Sequence, residues 1–234
     1  MGINVAGRSQ VFDINYRNSP EILNAAWNVI TPALDRARMP VERRERDDNG
    51  KVVKTPPLGT IIEPRTLPSR SSAIKPLLLQ VKRAAMAMVI AQQVKLALAS
   101  HPESSIGVLC HPNLPGYGIF HTAISRELST LEITHSAPQT SQERRQNMVC
   151  RPSVLVDSWT AVKGLEFDAV IIVGVDAIPD YDDGDRAFET EASLYVAMTR
   201  ARDHLVLLYS RQNAKVDAIG QAIYADSPLL ISNG

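Results

Sequence analysis

The sequence predicts an α/β fold with a mostly parallel sheet flanked by helices. Three segments, SIGVLC (105–110), SVLVDS (153–158) and DAVIIVG (168–174), are short and almost continuously apolar, as is typical of parallel strands covered on both faces. They alternate with segments whose apolar residues recur at helical spacing, and this alternation indicates a layered α/β domain. Because 234 residues can enclose a sizeable core, we expect a single domain over residues 1–234.

The N-terminal part predicts a short strand followed by a helix. QVFDIN (10–15) has the character of a strand, and Ser19, Pro20 and Glu21 form a helix start. Such a start combines a hydroxyl cap, a proline at the first helical position and an acid in the first turn. The following apolar residues are spaced so that the helix buries one face; they are Ile22, Leu23, Ala26, Trp27 and Ile30.

A proline-rich excursion is predicted at about residues 32–76. Seven of the fifteen prolines fall between Pro32 and Pro76, and proline fixes φ and removes a hydrogen-bond donor. We therefore expect no long element there beyond a strand at Gly59–Glu63. The run ERRERDD (42–48) is either a solvated face or a binding patch, and its nearly cancelling charges favour the solvated face.

The remaining elements follow from apolar spacing. A helix is predicted from Pro76 to about Ser100, with Met88 among the methionines that fill the core. The other predicted elements are helices near 119–129, 188–201 and 214–225 and strands at 131–134 and 204–209.

The composition excludes several classes of protein. Lys+Arg and Asp+Glu number 25 each, so no global basic excess indicates nucleic-acid binding, although a local basic groove remains possible. Cys110 and Cys150 are too few for a disulfide framework or a zinc site, and we expect buried thiols and no metal site. Without a signal peptide or an apolar run of membrane-spanning length, a cytoplasmic protein with no membrane contact is expected.

Two polar segments flank predicted strands and could bind a ligand. In INYRNSPEI (14–22), Tyr16 could stack on a base and Arg17 could donate to a phosphate, although such a pair before a helix is more often a packing residue beside a surface charge. In KGLEF (163–167), Gly164 permits a turn or a close approach, Glu166 can accept hydrogen bonds from a sugar, and Lys163 is either a phosphate contact or solvated. Because ligands of open α/β sheets gather at the carboxyl ends of strands, we expect these residues at that edge.

A third segment, LYVAMTRAR (194–202), places Arg200 and Arg202 on the last turn of a predicted helix that leads into the strand LVLLY. Periodicity alone does not decide where Arg200 points.

In this order, NYR, KGLEF and LYVAMTRAR resemble motifs IV, V and VI of UvrD/Rep-like superfamily 1 DNA helicases. The chain is thus similar to their C-terminal RecA-like motor domain. The resemblance implies that Tyr16 stacks on adenine, that Arg17 reaches the γ-phosphate and that Glu166 contacts the sugar beside Gly164. It further implies that Arg200 is an arginine finger, a group that stabilises charge on a transferring phosphoryl group.

The resemblance also implies a nucleic-acid contact. Trp159, Thr160 and Lys163 lie in the segment that approaches single-stranded DNA in this family. Many relatives have histidine where this chain has Thr160. Arg202 is expected to be structural or a neighbour of the phosphates.

The sequence lacks the other half of such a motor. It contains neither GxxxxGK[ST], whose amides and lysine hold phosphates, nor an Asp-Glu pair for Mg²⁺. We therefore expect ATP and Mg²⁺ to require an N-terminal RecA-like motor domain, with the magnesium ligands on that domain, and we expect no ATPase activity from this chain alone. The alternative is a non-catalytic nucleic-acid-binding or regulatory module derived from a helicase, and RNA is left open as the polynucleotide.

Overall fold

The computed structural model describes residues 14–42, 45–46, 49, 52–54, 60–147, 154–162, 164–179 and 184–225. The strands are β1 (Ile14–Asn15), β2 (Val41–Glu42), β3 (Glu45–Arg46), β4 (Val52–Lys54), β5 (Ile61–Ile62), β6 (Arg65–Thr66), β7 (Leu77–Gln80), β8 (Ile106–Cys110), β9 (Val154–Ser158), β10 (Phe167–Val173) and β11 (Ala201–Tyr209). The helices are α1 (Pro20–Arg36), α2 (Arg83–Ser100), α3 (Tyr117–Thr130), α4 (Ser141–Asn147), α5 (Gly184–Met198) and α6 (Ala214–Tyr224).

A five-stranded sheet in the order β7-β11-β10-β8-β9 forms the centre of the molecule. All four of its strand pairs are parallel. The central strand β10 aligns Val170 with Gly107 of β8 and with Leu205 of β11. The predicted fold class, a mostly parallel sheet flanked by helices, is confirmed.

Helices cover both faces of this sheet, and each face has its own core. One face packs against α1, α5 and α6, and its buried side chains include Ile22, Met198 and Ile219. The other face packs against α2 and α3, with Ile90 and Ile124 among its buried residues. Such two-sided burial explains why the strand sequences are apolar at successive positions instead of alternating.

Helix α1 begins as the sequence predicts but ends later. Pro20 opens it, Glu21 lies in its first turn, and the cap residue Ser19 makes no side-chain capping bond. All five apolar residues predicted to face the core are buried. The helix continues through Pro32 to Arg36. Burial of Ala33 and Leu34 offsets the backbone bond that the proline removes.

The predicted helix start at Pro76 is wrong. Leu77–Gln80 forms β7, which pairs in parallel with β11, and α2 begins only at Arg83. Met88 is 47% exposed, whereas Met86 is buried in the core. An apolar run as short as the three leucines of β7 fits a strand or a helix equally well, so the sequence pattern could not decide between them.

Two other boundaries differ from the predictions. The expected strand at 131–134 is a turn and an extended segment, and only Ser136 beyond it bridges to Leu155 of β9. Helix α5 ends at Met198, so Arg200 lies in a turn and Arg202 lies in β11. The chain must turn before entering the parallel strand, and β-branched Thr199 follows the last helical residue.

After the end of α1, the described part of the proline-rich excursion consists of strands of two or three residues and a 3-10 helix at Pro68–Arg70. Parallel pairs join β2 to β5 and β1 to β6, and an antiparallel pair joins β3 to β4. The strand predicted at 59–63 is reduced to Ile61–Ile62. Residues 10–13 of the predicted first strand, Arg43, Arg44, Asp47 and Asp48 of the charged run, and Cys150 lie outside the described residues.

Among the described residues, no helix has both the length and the apolar character needed to cross a membrane.

Candidate functional site

Two of the three predicted ligand-binding segments are joined by an ion pair, and the third contacts them. Arg17 Nη2 lies 2.9 Å from Glu166 Oε1, and the two side chains are 49% and 36% exposed. Arg200 donates from Nη1 to the carbonyl oxygen of Leu165 at 3.2 Å and from Nε to the carbonyl oxygen of Val196 at 3.2 Å. Residues 17, 166 and 200 therefore form one partly exposed cluster.

This cluster lies at the amino ends of the central strands, not at the carboxyl ends that the sequence analysis expected. Glu166 directly precedes β10 and Arg200 directly precedes β11, with Phe167 N donating to the carbonyl oxygen of Arg200 at 2.9 Å. A residue that directly precedes a strand lies at the amino end of that strand, and the predicted strands at 168–174 and 204–209 already implied this placement. The expectation was wrong because the rule for ligands of open sheets refers to the opposite ends of these strands.

Asn18 holds the Tyr16–Arg17 loop against the segment that carries Arg200. Its buried side chain donates from Nδ2 to the carbonyl oxygens of Thr199 at 2.9 Å and Ala201 at 2.5 Å. Immediately after it, Ser19 N donates to the carbonyl oxygen of Arg202 at 2.7 Å. The first and third segments are thus fixed to each other through side-chain and backbone bonds.

Tyr16 and Gly164 lie beside this cluster in sequence and are both open to solvent. The Tyr16 ring is 61% exposed, so it is available to stack on a planar ligand. Gly164 has φ of +82°, and no atom lies within 4 Å of the position where a Cβ would be. Glycine is suited to this position because other residues adopt such a backbone conformation only with strain.

Arg202 is held away from the cluster. Its Nη1 lies 3.2 Å from Asp168 Oδ1, and the other oxygen of that carboxylate accepts from Ser105 N and Oγ. Of the two expected roles of Arg202, these contacts favour the structural one.

The three residues expected to approach single-stranded DNA do not share one environment. Trp159 is only 4% exposed and packs edge-to-face against His111 with 4.4 Å between ring centroids. A ring buried in this way is a core residue, which corrects its assignment as a nucleic-acid contact. Thr160 is exposed, and its Oγ1 lies 3.2 Å from Ser158 Oγ. Lys163 lies outside the described residues.

Two buried groups near the carboxyl ends of β8 and β9 have shifted pKa values. Burial lowers the pKa of His111 to about 4, and its Nδ1 accepts from Asn113 N at 3.1 Å. Burial, together with the negative charge of Asp157, raises the pKa of Cys110 to about 12. His111 is therefore neutral near pH 7, and Cys110 is a buried thiol rather than a reactive thiolate.

The described residues contain no group of three or more histidine, cysteine or acidic side chains that could hold a metal ion. The site as described is composed of guanidinium groups, a carboxylate and an aromatic ring, which suits an anionic ligand more than a cation.

Sequence reasoning missed two residues that organise the cluster. Asn18 follows directly after Tyr16 and Arg17, and its position within INYRNSPEI was the one available signal. Arg70 donates from Nη2 to the carbonyl oxygen of Arg17 at 2.8 Å. No pattern pointed to Arg70, because the proline-rich excursion has no periodicity from which a contact can be inferred.

Together, the open five-stranded parallel sheet and its flanking helices define an α/β domain with a guanidinium-rich cluster at one sheet edge. Comparison with known families is more specific: residues 119–212 match the UvrD-like helicase C-terminal domain. This match confirms the resemblance to UvrD-like helicases recognised from the sequence. The matched range contains Glu166 and Arg200 but not the Tyr16–Arg17 segment.

Among solved structures, the chain is similar to the C-terminal domain of a possible DNA helicase from Lactobacillus plantarum WCFS1. The two are 16% identical, the alignment covers 89% of this chain and 96% of the other, and the TM-score is 0.48. A likeness at this identity and score does not bear on function. No curated protein sequence matches the chain significantly.

Proposed function

We propose that the chain is the C-terminal motor half of an ATP-dependent DNA helicase or translocase. In this proposal it supplies one wall of an ATP site, and an N-terminal RecA-like motor domain with a P-loop supplies the other. The domain match over residues 119–212 supports the helicase class, and such a C-terminal domain implies an N-terminal motor partner.

The observation that carries the proposal is the convergence of Arg17, Glu166 and Arg200. More than 140 residues separate Arg17 from Glu166 in sequence, and 34 residues separate Glu166 from Arg200. An ion pair of 2.9 Å nevertheless joins Arg17 to Glu166, and a hydrogen bond of 3.2 Å joins Arg200 to the neighbouring Leu165. An exposed ion pair contributes only about 0–1 kcal/mol to stability. Folding stability alone therefore gives little reason to gather these groups at an exposed sheet edge.

Each side chain of the cluster suits one part of a nucleotide. The exposed Tyr16 ring can stack on adenine, and Glu166 can accept hydrogen bonds from the ribose hydroxyls. Arg17 can donate two parallel hydrogen bonds to a phosphate. While no anion is near, the Glu166 carboxylate balances the charge of Arg17, and a γ-phosphate would compete with it for the same donors.

Arg200 is proposed as the arginine finger. Its two donors now bind the carbonyl oxygens of Leu165 and Val196, which are neutral acceptors and weaker than phosphate oxygens. The side chain is thus held at the sheet edge with a positive charge that is not paired with a carboxylate of any described residue. Such a group stabilises the negative charge that spreads over the equatorial oxygens during phosphoryl transfer.

ATP fits the residues of this cluster, whereas the magnesium ligands are expected from the N-terminal motor domain.

The proposed contact with single-stranded DNA now depends on Thr160 and Lys163, since Trp159 is buried. A backbone-tracking contact of this kind would be strongly salt-dependent.

The experiment combines this chain with a P-loop motor domain and measures DNA-stimulated ATP hydrolysis. We expect Arg200→Ala to lower kcat by about 10³-fold, the lower range for an arginine finger. Arg202→Ala is the matched control, because Arg202 is two residues away but pairs with Asp168 at 3.2 Å; it should change kcat by less than about threefold.

Equal rates for wild type and Arg200→Ala would refute the arginine-finger role. If the mixture binds single-stranded DNA but never hydrolyses ATP, the non-catalytic module becomes the better description of the chain.

A further inference from the structure

The end of the proline-rich excursion packs against the loop that carries Tyr16 and Arg17. Strand β6 (Arg65–Thr66) pairs in parallel with β1 (Ile14–Asn15), the strand that leads directly into this loop. Thr66 is fully buried. The excursion therefore provides the strand that pairs with β1. Together β1 and β6 form a two-stranded sheet that is separate from the five-stranded sheet.

Arg70 extends this contact from the strand to the loop itself. Its Nη2 donates to the carbonyl oxygen of Arg17 at 2.8 Å and to Asp203 Oδ1 at 3.2 Å. One nitrogen with two hydrogens thus joins the loop to β11, the strand that follows Arg200. The side chain is about one-third exposed. Its Nε is buried and has no hydrogen-bond partner, so the guanidinium makes these two hydrogen bonds through Nη2.

Asn15 also stabilises the loop that carries Tyr16 and Arg17, through hydrogen bonds to its backbone. Asn15 Oδ1 accepts from Arg17 N at 2.8 Å and from Asn18 N at 2.9 Å. Further along, Ser71 Oγ donates to Glu21 in the first turn of α1. The amide nitrogen and the carbonyl oxygen of Arg17 are both hydrogen-bonded within the loop. Its side chain, which pairs with Glu166, is therefore the part of Arg17 that can reach a ligand.

We propose that Arg70 is a positioning residue for the nucleotide site, acting through the backbone of Arg17. This inference rests on the function proposed above and assigns a role to the proline-rich excursion. The carbonyl bond fixes the rotation of the peptide after Arg17 and thereby the direction of its guanidinium toward Glu166. The bond to Asp203 fixes the same group to β11, so the loop and the Arg200 segment keep one relative position.

Arg70 could instead only anchor the excursion, and the two roles predict different local effects. An anchor would protect residues 65–72 from local opening, whereas a positioning residue would also protect the amides of Arg17 and Asn18. Local opening is measured residue by residue through amide hydrogen exchange.

The first experiment measures amide exchange by NMR in wild-type chain, Arg70→Ala and the control Arg126→Ala. Arg126 is an exposed arginine of α3 whose nearest acid, Glu127, is 3.8 Å away. We expect exchange at Arg17 and Asn18 to become about tenfold faster in Arg70→Ala, the size expected for one lost charge-assisted hydrogen bond, and to be unchanged in Arg126→Ala.

Arg70→Lys provides a second variant if the alanine variant does not fold. Lysine keeps the charge and the aliphatic stem but lacks the planar fork, so exchange at Arg17 and Asn18 should lie between wild type and a tenfold increase. Unchanged exchange at these two amides, with or without faster exchange at residues 65–72, overturns the inference.

The second experiment measures ATP hydrolysis after addition of the P-loop motor domain. A misplaced Arg17 weakens nucleotide binding more than the chemical step, so Arg70→Ala should raise KM for ATP about tenfold while kcat falls less than threefold. If Arg17→Ala and Arg200→Ala leave hydrolysis unchanged, the proposed function itself fails. If those two variants abolish hydrolysis while Arg70→Ala leaves KM unchanged, only the positioning role is refuted.

Discussion

Replacing Asn18 by alanine should destabilise the domain more than replacing a typical polar residue of the adjoining helix α1. The Asn18 side chain is only 1% exposed. Its Nδ2 donates to the carbonyl oxygens of Thr199 and Ala201 at 2.9 and 2.5 Å, and its Oδ1 accepts from Asn15 at 2.9 Å. Alanine removes all three bonds and leaves two enclosed carbonyl oxygens without this donor.

The magnitude follows from the cost of an unsatisfied buried group, which is about 1–3 kcal/mol. Because one of the two carbonyl contacts is only partly buried, we expect Asn18→Ala to lower the free energy of unfolding by about 2–4 kcal/mol. Asn28→Ala is the matched control. Asn28 makes one side-chain bond, to the carbonyl oxygen of Ala222 at 3.1 Å, and should cost about 1 kcal/mol or less.

Urea denaturation of the three proteins at pH 7, followed by circular dichroism, gives these free energies with a common m-value. Similar losses for Asn18→Ala and Asn28→Ala would show that Asn18 does not join the Tyr16–Arg17 loop to the Arg200 segment in the way described. A change in m-value would instead indicate that the substitution alters the compactness of one of the two states.

Two further predictions concern the interior of the sheet. Burial lowers the pKa of His111 to about 4, so between about pH 6.5 and pH 4 the unfolded chain binds a proton that the folded chain does not, and the free energy of unfolding falls as the pH is lowered. Between pH 7 and pH 5 the loss is about 2 kcal/mol. Urea denaturation at both pH values should show that His111→Gln loses less stability than wild type by about that amount, and an equal loss would contradict the prediction. A Cβ on Gly107 would lie 2.8 Å from the Phe167 ring, so Gly107→Ala should lower the free energy of unfolding by about 1–3 kcal/mol. The control is Gly118→Ala in α3, where no atom lies within 4 Å of the added Cβ, and this substitution should stabilise the domain by up to about 1 kcal/mol. An unchanged free energy of unfolding for Gly107→Ala in the same assay would show that the ring moves aside without cost.

The central sheet was predictable because its strands are buried on both faces. In β8, β9 and β10, hydrophobic burial dictates the residue type at almost every position, and each predicted range agrees with the structure within one or two residues. The edge strand β7 was not predictable, because Leu77 is 38% exposed and its short apolar run carries no period that separates a strand from a helix turn.

The residues of the cluster were selected from the sequence, whereas the edge of the sheet on which they lie was predicted wrongly and their binding roles stay predictions. Arg17, Glu166 and Arg200 were selected by their motifs, and the structure brings them together. Their location at the amino ends follows from their positions just before the strands predicted at 168–174 and 204–209, and the expected edge was wrong because the rule for ligands refers to carboxyl ends. Contacts such as Arg70 to Arg17 join residues 53 positions apart and depend on tertiary packing alone.

The parallel sheet gives the domain two chemically different margins that are rigidly connected. Glu166 and Arg200 lie where β10 and β11 start, whereas His111 and Thr160 lie beyond the ends of β8 and β9. The seven residues of β10 separate these margins by about 23 Å, and close-packed side chains on both faces resist bending of the strands. A rotation of the domain about an axis midway along β10 therefore moves the two margins through comparable distances in opposite directions.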